Sequence, residues 1–209
     1  MQQAFTIKEF APIINSAEFQ KSYLFKIALP SFYSENLKGD IIPSDKIIYC
    51  ASSTSFPSSS TGIQTIPFYN SEIKIGTKTV FDPWTLTFKF DKVPFVKNDF
   101  YGCNYKNGEK VSVGNSYTYF YHWRKCVHNL ETYTSDIPQK PIKNGETVKG
   151  YKHFVILWLM DESNYVDGYF VLTGAWPSSI SGSNFDYSSD EISTFNVTFS
   201  FDNFIYSQA

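Results

Sequence analysis

A mainly β protein with a single amphipathic helix is what this sequence predicts, on three observations. Aromatic residues make up 19% of the 209, with 20 Phe and 15 Tyr against 2 Met, and aromatic, Thr and Ser enrichment suits half-buried pleated strands. Two stretches alternate with a strict two-residue period. In one, Trp84, Leu86, Phe88 and Phe90 interleave with Thr85, Thr87, Lys89 and Asp91; in the other, Phe195, Val197, Phe199 and Phe201 interleave with Thr194, Asn196, Thr198 and Ser200. Helical spacing is clearest in Tyr117 to Leu130, where Phe120, Trp123 and Val127 fall three and four residues apart. A chain of this length is long enough for one substantial core, and all-β folds of this size are commonly single domains.

From the start of the chain, Thr6 to Ala17 reads as a short helix or an arm. Tyr23 to Pro30 reads as a strand with Tyr23, Phe25, Ile27 and Leu29 on one face. Ser31 to Asp45 is a polar loop with Gly39 and Pro43, and Lys46 to Ala51 a short strand. Ser52 to Gly62, dominated by Ser and Thr around Pro57, reads as a mobile loop. Ile63 to Tyr69 and Glu72 to Ile75 are strands joined at Asn70-Ser71. Phe81-Asp82-Pro83 is a turn, because proline fixes φ and lacks a donor. Val93 to Ser116, with three glycines, suits an irregular insertion or small hairpin, and Thr132 to Gly150 a loop. Tyr151 to Met160 is apolar on both faces and reads as a central strand. Gly168 to Gly174 is a strand ending in a Trp176-Pro177 turn.

No site for chemistry emerges. The net charge of -2 leaves no basic footprint for gripping nucleic acid. Cys50, Cys103 and Cys126 are odd in number, without CxxC, and read as reduced thiols of a cytoplasmic setting. The longest oily run, Phe154 to Met160, falls far short of the ~20 apolar residues of a membrane helix, so no membrane anchor is expected. His122 and His128 lie six apart, off the i, i+4 spacing of a metal pair, and read as helix-surface or interface residues. His153 reads as a satisfied edge residue. Asp161-Glu162 and Asp190-Glu191 are adjacent pairs whose members point to opposite strand faces, which suits turns better than glycoside chemistry. GxSxG, P-loop and GxGxxG patterns are absent. No enzyme, cofactor or metal is expected.

The two alternating strands share an oddity. Their polar faces carry Thr, Ser and Asn in place of the long charged residues of an ordinary solvated sheet. Two explanations stand: plain β-propensity of threonine, or the lining of a conduit that must not bind what passes through it.

Five motifs in order resemble the tail tube proteins of contractile-tail bacteriophages. They are Glu18-Phe19 with Leu24-Phe25; Ile73 to Phe90 with Phe81, Asp82, Trp84 and Thr85; the aromatic pair Phe120 and Trp123; Gly174-x-Trp176-Pro177; and Glu191-Ile192 with Thr194, Phe195, Val197 and Thr198. The resemblance implies one domain over 1–209, an antiparallel β-sandwich or barrel with one flanking helix. It implies six copies in a ring whose sheets join into a continuous inner β-barrel, with rings stacked into a tube. Thr85, Thr87, Lys89, Thr194, Asn196, Thr198 and Ser200 would face the lumen. The segment with Ser52, Phe56, Pro57 and Gly62 would stack rings, and Phe81, Trp84, Phe120, Trp123, Trp176, Pro177 and Phe195 would fill core and motif positions. Segments 31–45 and 93–116 are longer than the family pattern and would sit as insertions on the tube exterior or the ring faces. The implied partners are further copies of the chain, the tail sheath protein, baseplate and tail terminator proteins, and tape-measure protein and DNA in the lumen without tight binding. The implied place is the virion, after assembly in the host cytoplasm, and the implied role is genome ejection. A baseplate tube initiator or the tube of an injection system is the neighbouring alternative. A carbohydrate-binding receptor module, with Tyr101, Tyr105, Tyr117 and Tyr119 stacking on sugars, is the alternative from another class.

Overall fold

One long strand organises the molecule. The computed structural model describes residues 23–34, 39–43, 45–91, 111–113, 115–130, 133–136, 150–182 and 190–208. In chain order these form β1 (Phe25–Ala28), β2 (Phe32–Ser34), β3 (Gly39–Pro43), helix α1 (Asp45–Cys50), β4 (Ala51–Thr54), β5 (Ser59–Phe68) and β6 (Ser71–Phe81). There follow β7 (Trp84–Lys89), β8 (Val111–Val113), helix α2 (Ser116–Val127), β9 (His153–Met160), β10 (Val166–Gly182), β11 (Thr194–Ser200) and β12 (Asn203–Gln208). The first half of β10 pairs with β9 on one side and β12 on the other; its second half pairs with β11. β1 extends the sheet beyond β9, while β7 and then β4 extend it beyond β11. Every one of these pairings is antiparallel, and among the described residues the sheet does not close into a barrel. Among the described residues β2, β3 and β8 make a small sheet of their own, and β5 and β6 a two-stranded hairpin.

The β10 strand bends where it passes from one set of partners to the other. Gly174 has φ +64, with a register shift between Leu172 and Ala175, a conformation glycine adopts without cost. Trp176 and Pro177, expected to end the strand in a turn, instead lie within it. Proline has no N–H for the ladder, and β10 absorbs it at a second register shift between Pro177 and Ser179. β11 and β12 follow one another along the same edge of β10, Ser200 opposite Trp176 and Asn203 opposite Thr173.

The core lies on the inward faces of these strands and under α2. Tyr119, Phe120, Trp123 and Cys126 of the helix are buried, as are Leu86 and Phe88 of β7, Val197 and Phe199 of β11, and Leu157 of β9. Phe120 lies 4.8 Å from Phe88, and Trp123 5.7 Å from Phe199, ring centre to ring centre. Asn115 caps the helix through Oδ1, which accepts from Tyr117 N at 2.8 Å and Thr118 N at 3.2 Å. Asp91, just past β7, fastens that first turn by accepting from the Ser116 amide at 3.0 Å and hydroxyl at 2.6 Å.

Several local expectations are corrected. Segment 31–45 contains β2 and β3, whose Phe32 and Ile41 are fully buried against the helix side of the core. Lys46 to Cys50 is helix rather than strand, and Ala51 opens β4: the β-branched Ile47-Ile48 pair suggests a strand, but the segment forms the short α1, with Ile47 buried. Segment 52–62 is not a loose loop. Its hydroxyls serve the neighbouring strand, Ser52 Oγ donating to Thr87 O at 3.2 Å and Thr54 Oγ1 to Thr85 O at 3.2 Å. Trp84 Nε1 donates to Ser55 O at 2.7 Å, and Asp82 N to Ser58 O at 3.1 Å. The chain reverses at Tyr69–Asn70, one residue before the expected Asn70-Ser71, and β6 runs on through Gly76 to Phe81. Phe90 falls just beyond β7 and is exposed, resting against Tyr117 and Phe195. Within segment 93–116, Val111–Val113 forms β8 parallel to β3, and Ser116 starts the helix; residues 92–110 and 114, with Tyr101, Cys103 and Tyr105, lie outside the described residues. So do 1–22 and most of 132–149.

Candidate functional site: a neutral polar face on four strands

β7 and β11, far apart in sequence, are neighbours, and their polar faces coincide. Thr85 stands opposite Thr198, Thr87 opposite Asn196, and Lys89 opposite Thr194. The two threonine hydroxyls meet at 3.2 Å, and Thr87 Oγ1 donates to Asn196 Oδ1 at 2.9 Å. Ser200 continues the same face by alternation. All seven polar residues picked out in the sequence therefore share one surface. Behind each stands a buried neighbour of opposite orientation, Trp84, Leu86 and Phe88 on β7 and Phe195, Val197 and Phe199 on β11.

Three residues belong to this face that sequence alone did not single out. Ser179 is opposite Thr198, Ser181 opposite Asn196, and Ser53 opposite Thr87. The Ser179-Ile180-Ser181 alternation was the available signal, masked by the expectation that the strand stopped at Trp176-Pro177. The face thus spans the second half of β10, β11, β7 and β4. Lys89 is the one charged side chain among these ten. Hydroxyls and amides that bond one another present a wet surface with little to hold counterions.

Among the described residues the patch ends in two unpaired margins, β4 on one side and the second half of β10 on the other. At the β10 margin the guanidinium of Arg124, from α2, donates to the carbonyl of Ser178. A long cation over a free edge discourages casual strand pairing.

Other motif residues take structural places. Phe81 packs on Phe201 and Phe204 at 5.7 and 5.9 Å; Asp82 accepts from Ser58 Oγ at 3.1 Å; Trp176 meets Tyr151 at 5.8 Å. Of the stacking candidates, Ser52 is exposed on β4, Pro57 is buried, and Phe56 is exposed but rests on Phe170 at 5.4 Å. Gly62 faces a bulge on β6, where an added Cβ would lie 2.5 Å from Thr77 Oγ1.

Perturbed titration lies on the core side of the sheet. His122, expected at the helix surface, is buried, because α2 buries a wide arc; burial, with Lys125 second, lowers it to about 4. His153 is buried and lowered to about 4 by desolvation, partly opposed by its 2.9 Å contact with Gly150 O. His128 is exposed, 3.2 Å from Ser135 Oγ. Burial raises Tyr119, whose hydroxyl donates to Pro30 O at 2.6 Å, so it is no sugar-stacking residue. Burial also raises the Cys50 thiol, away from thiolate chemistry. Among the described residues no three metal-ligating side chains converge.

The histidines make a prediction. Unfolding lets them protonate near 6.5, whereas the fold holds them neutral to about 4. The unfolded state therefore binds more protons in between, and stability falls as pH drops through that window. From pH 7 to 5 each histidine should contribute a loss of about 2 kcal/mol. Urea midpoints at the two pH values check this, and His122→Gln and His153→Gln should each flatten the dependence.

The sequence matches no family model and no curated protein. The fold, however, has solved counterparts. One is a chain of the six-fold symmetrised baseplate of the anti-feeding prophage, with TM-score 0.54 and 10% identity over 92% of this chain and 97% of that one. Another is a chain of the PVC sheath/tube terminator, in the extended state, of an extracellular contractile injection system, with TM-score 0.50 and 12% identity over 92% and 99%. At such identities the likeness is one of fold. The chain has the fold of contractile-particle proteins, and the resemblance carried by its motifs holds at that level.

Proposed function

We propose that the chain is a structural tube subunit of a contractile particle, with the neutral face of β10, β11, β7 and β4 lining the bore. The observation that carries this is the combination of an almost uncharged polar face with unpaired strands at both its margins. Edge-to-edge joining of β4 in one copy with the second half of β10 in the next would satisfy both margins, and only a closed ring leaves none exposed. Six copies would make a barrel of about 24 strands, roughly 37–48 Å across at the backbone for tilts up to about 40°. Arg124 would have to leave the Ser178 carbonyl as the ring forms, which keeps the free chain from pairing prematurely.

In a phage tail the rings would stack into the inner tube, with sheath outside, baseplate and terminator at the ends, and tape measure and then genome within the bore. A tube or tube initiator of an injection particle is the second reading. What favours it is that one of the fold counterparts above comes from an extracellular contractile injection system. The mechanism is passive in either case. Neutral hydroxyls would let cargo slide, and the aromatic core would keep the rod stiff under the sheath's thrust.

Negative-stain electron microscopy of the purified chain across a concentration series tests the proposal. Six-fold rings or hollow rods of constant diameter are expected. A chain that stays monomeric at every concentration, and with purified baseplate added as nucleus, overturns it.

A further inference from the structure

Around β9, the face of the sheet turned away from the core is apolar. Ala28, Ile156, Val171 and Ile205 form one row across β1, β9, β10 and β12. Trp158 and Tyr169 stand in the next, with Lys26 lying along Trp158 at 5.5 Å. These residues alternate with Ile27, Val155, Leu157 and Leu172, which are buried in the core, so they point the other way. Phe154, on the same side, is 49% exposed and Ile205 56%. Lys26 brings the one charge to these two rows. A sheet face of this composition is stable in water only under a cover.

The segment that leads into this half of the sheet has the sequence of such a cover. Residues 1–22 lie outside the described ones and run directly into Tyr23 and β1, the edge strand of the face. Thr6 and Glu9 stand in the Thr-x-x-Glu order with which a helix caps its own first turn, Thr6 as cap and Ile7 as the first helical residue. Phe5 and Phe10 then hold the two positions whose contact fixes how a chain enters a helix. At about 100° per residue, Ile7, Phe10, Ala11, Ile13, Ile14 and Ala17 fall within an arc of about 160°, and Lys8, Glu9, Asn15 and Ser16 fall outside it. Pro12, also outside the arc, removes one helical hydrogen bond. Such a short, interrupted helix has little stability by itself, and packing has to supply it.

The dimensions agree. A helix from Ile7 to Ala17 is about 16 Å long, and four strands make a face about 14 Å wide. Residues 18–22 reach up to roughly 17 Å, enough to lay that helix on the sheet it leads into. The core side of β1 and β9 is already occupied, with Ile27 and Leu157 buried, so the outer side is the one left to cover.

We propose that residues 7–17 form an amphipathic helix whose apolar side packs on Ile156, Trp158, Val171 and Ile205 of the same copy. Its polar side, with Lys8, Glu9, Asn15 and Ser16, then becomes the surface that any partner meets on this side of the molecule. The cover forms within one copy, so it stands whether or not the chain polymerises.

The test places a benzophenone amino acid at Ile205 of the full chain. Chains of natural and ¹⁵N isotope content are mixed at a dilution where sedimentation shows single copies, irradiated, and the adducts located by mass spectrometry. Adducts to residues 7–17 of the same isotope content as the probe are expected. Mixed-isotope adducts to those residues overturn the proposal in favour of a segment exchanged between copies. Same-copy adducts confined to other segments, such as 63–75 or 137–149, overturn it, and so does the lack of any adduct. Ile14→Glu, within the apolar arc, should cut the yield about tenfold, whereas Lys8→Ala, outside it, should leave the yield unchanged. Equal losses in the two variants would overturn the assignment of the helix faces. Rods or their absence in electron microscopy bear only on the tube reading, so either idea can fail without the other.

Discussion

Trp123→Ala should lower the unfolding free energy by about 3–5 kcal/mol, read as a fall in urea midpoint with an unchanged slope. The indole is fully buried. It sits within 5.7 Å of Phe32, His153 and Phe199 and 5.9 Å of Tyr119, ring centre to ring centre. These neighbours come from β2, β9, β11 and the helix itself, so this one side chain joins four elements. Rigid rings collapse poorly into a void, which puts the cost at the upper end of the range. The indole N–H also donates to Tyr151 O at 2.8 Å, and its loss leaves that carbonyl short of a partner. Trp123→Phe separates the two contributions, since it keeps most of the volume and should cost only about 1–2 kcal/mol. A cost below 1 kcal/mol for the alanine variant would show that α2 is not fastened to the sheet in the way described.

Gly174→Ala should be nearly as damaging for a change of one methyl group. At φ +64 any side chain brings left-handed strain of about 1–2 kcal/mol. The added Cβ would also lie 2.2 Å from Asp202 Oδ2 and 2.7 Å from its Cγ. Asp202 cannot easily withdraw. Lys152 Nζ donates to both its oxygens at 2.7 and 2.8 Å, and its amide donates to Thr173 O at 2.9 Å. A total of about 3 kcal/mol is expected. Adding Asp202→Gly should restore the steric part and leave the strain, so the two changes will be non-additive in denaturant unfolding. Simple additivity would mean that the carboxylate is not the obstacle.

Legibility in the sequence followed how many forces agreed at each place. β7, β11 and α2 were plain because period, composition and burial coincide there: Leu86 and Phe88 are buried where alternation demanded it, and Phe120 and Trp123 where helical spacing did. The polar faces of β7 and β11 were legible one at a time. That Thr87 touches Asn196 is a matter of long-range register, which no local pattern encodes. Misreadings cluster where a residue has two uses. Serine and threonine in 52–62 suggested a loop, yet their hydroxyls bond the carbonyls of β7. Gly174 and Pro177 look like strand terminators, but in β10 they are what lets a strand change partners. Phe32 and Ile41 were hidden among polar neighbours, and only the packing of Phe32 on Tyr119 and Trp123 declares that segment part of the core.

The span of β10 has a mechanical consequence. Because its 17 residues run unbroken from β9 and β12 to β11, covalent backbone joins the two halves of the sheet. Pulling the halves apart along the strand loads its hydrogen bonds together, in shear, instead of opening them one after another. It also removes any seam at which half the molecule could melt alone, so the described sheet should unfold as one cooperative unit. Stiffness of that kind is what a rod needs when it is pushed from one end.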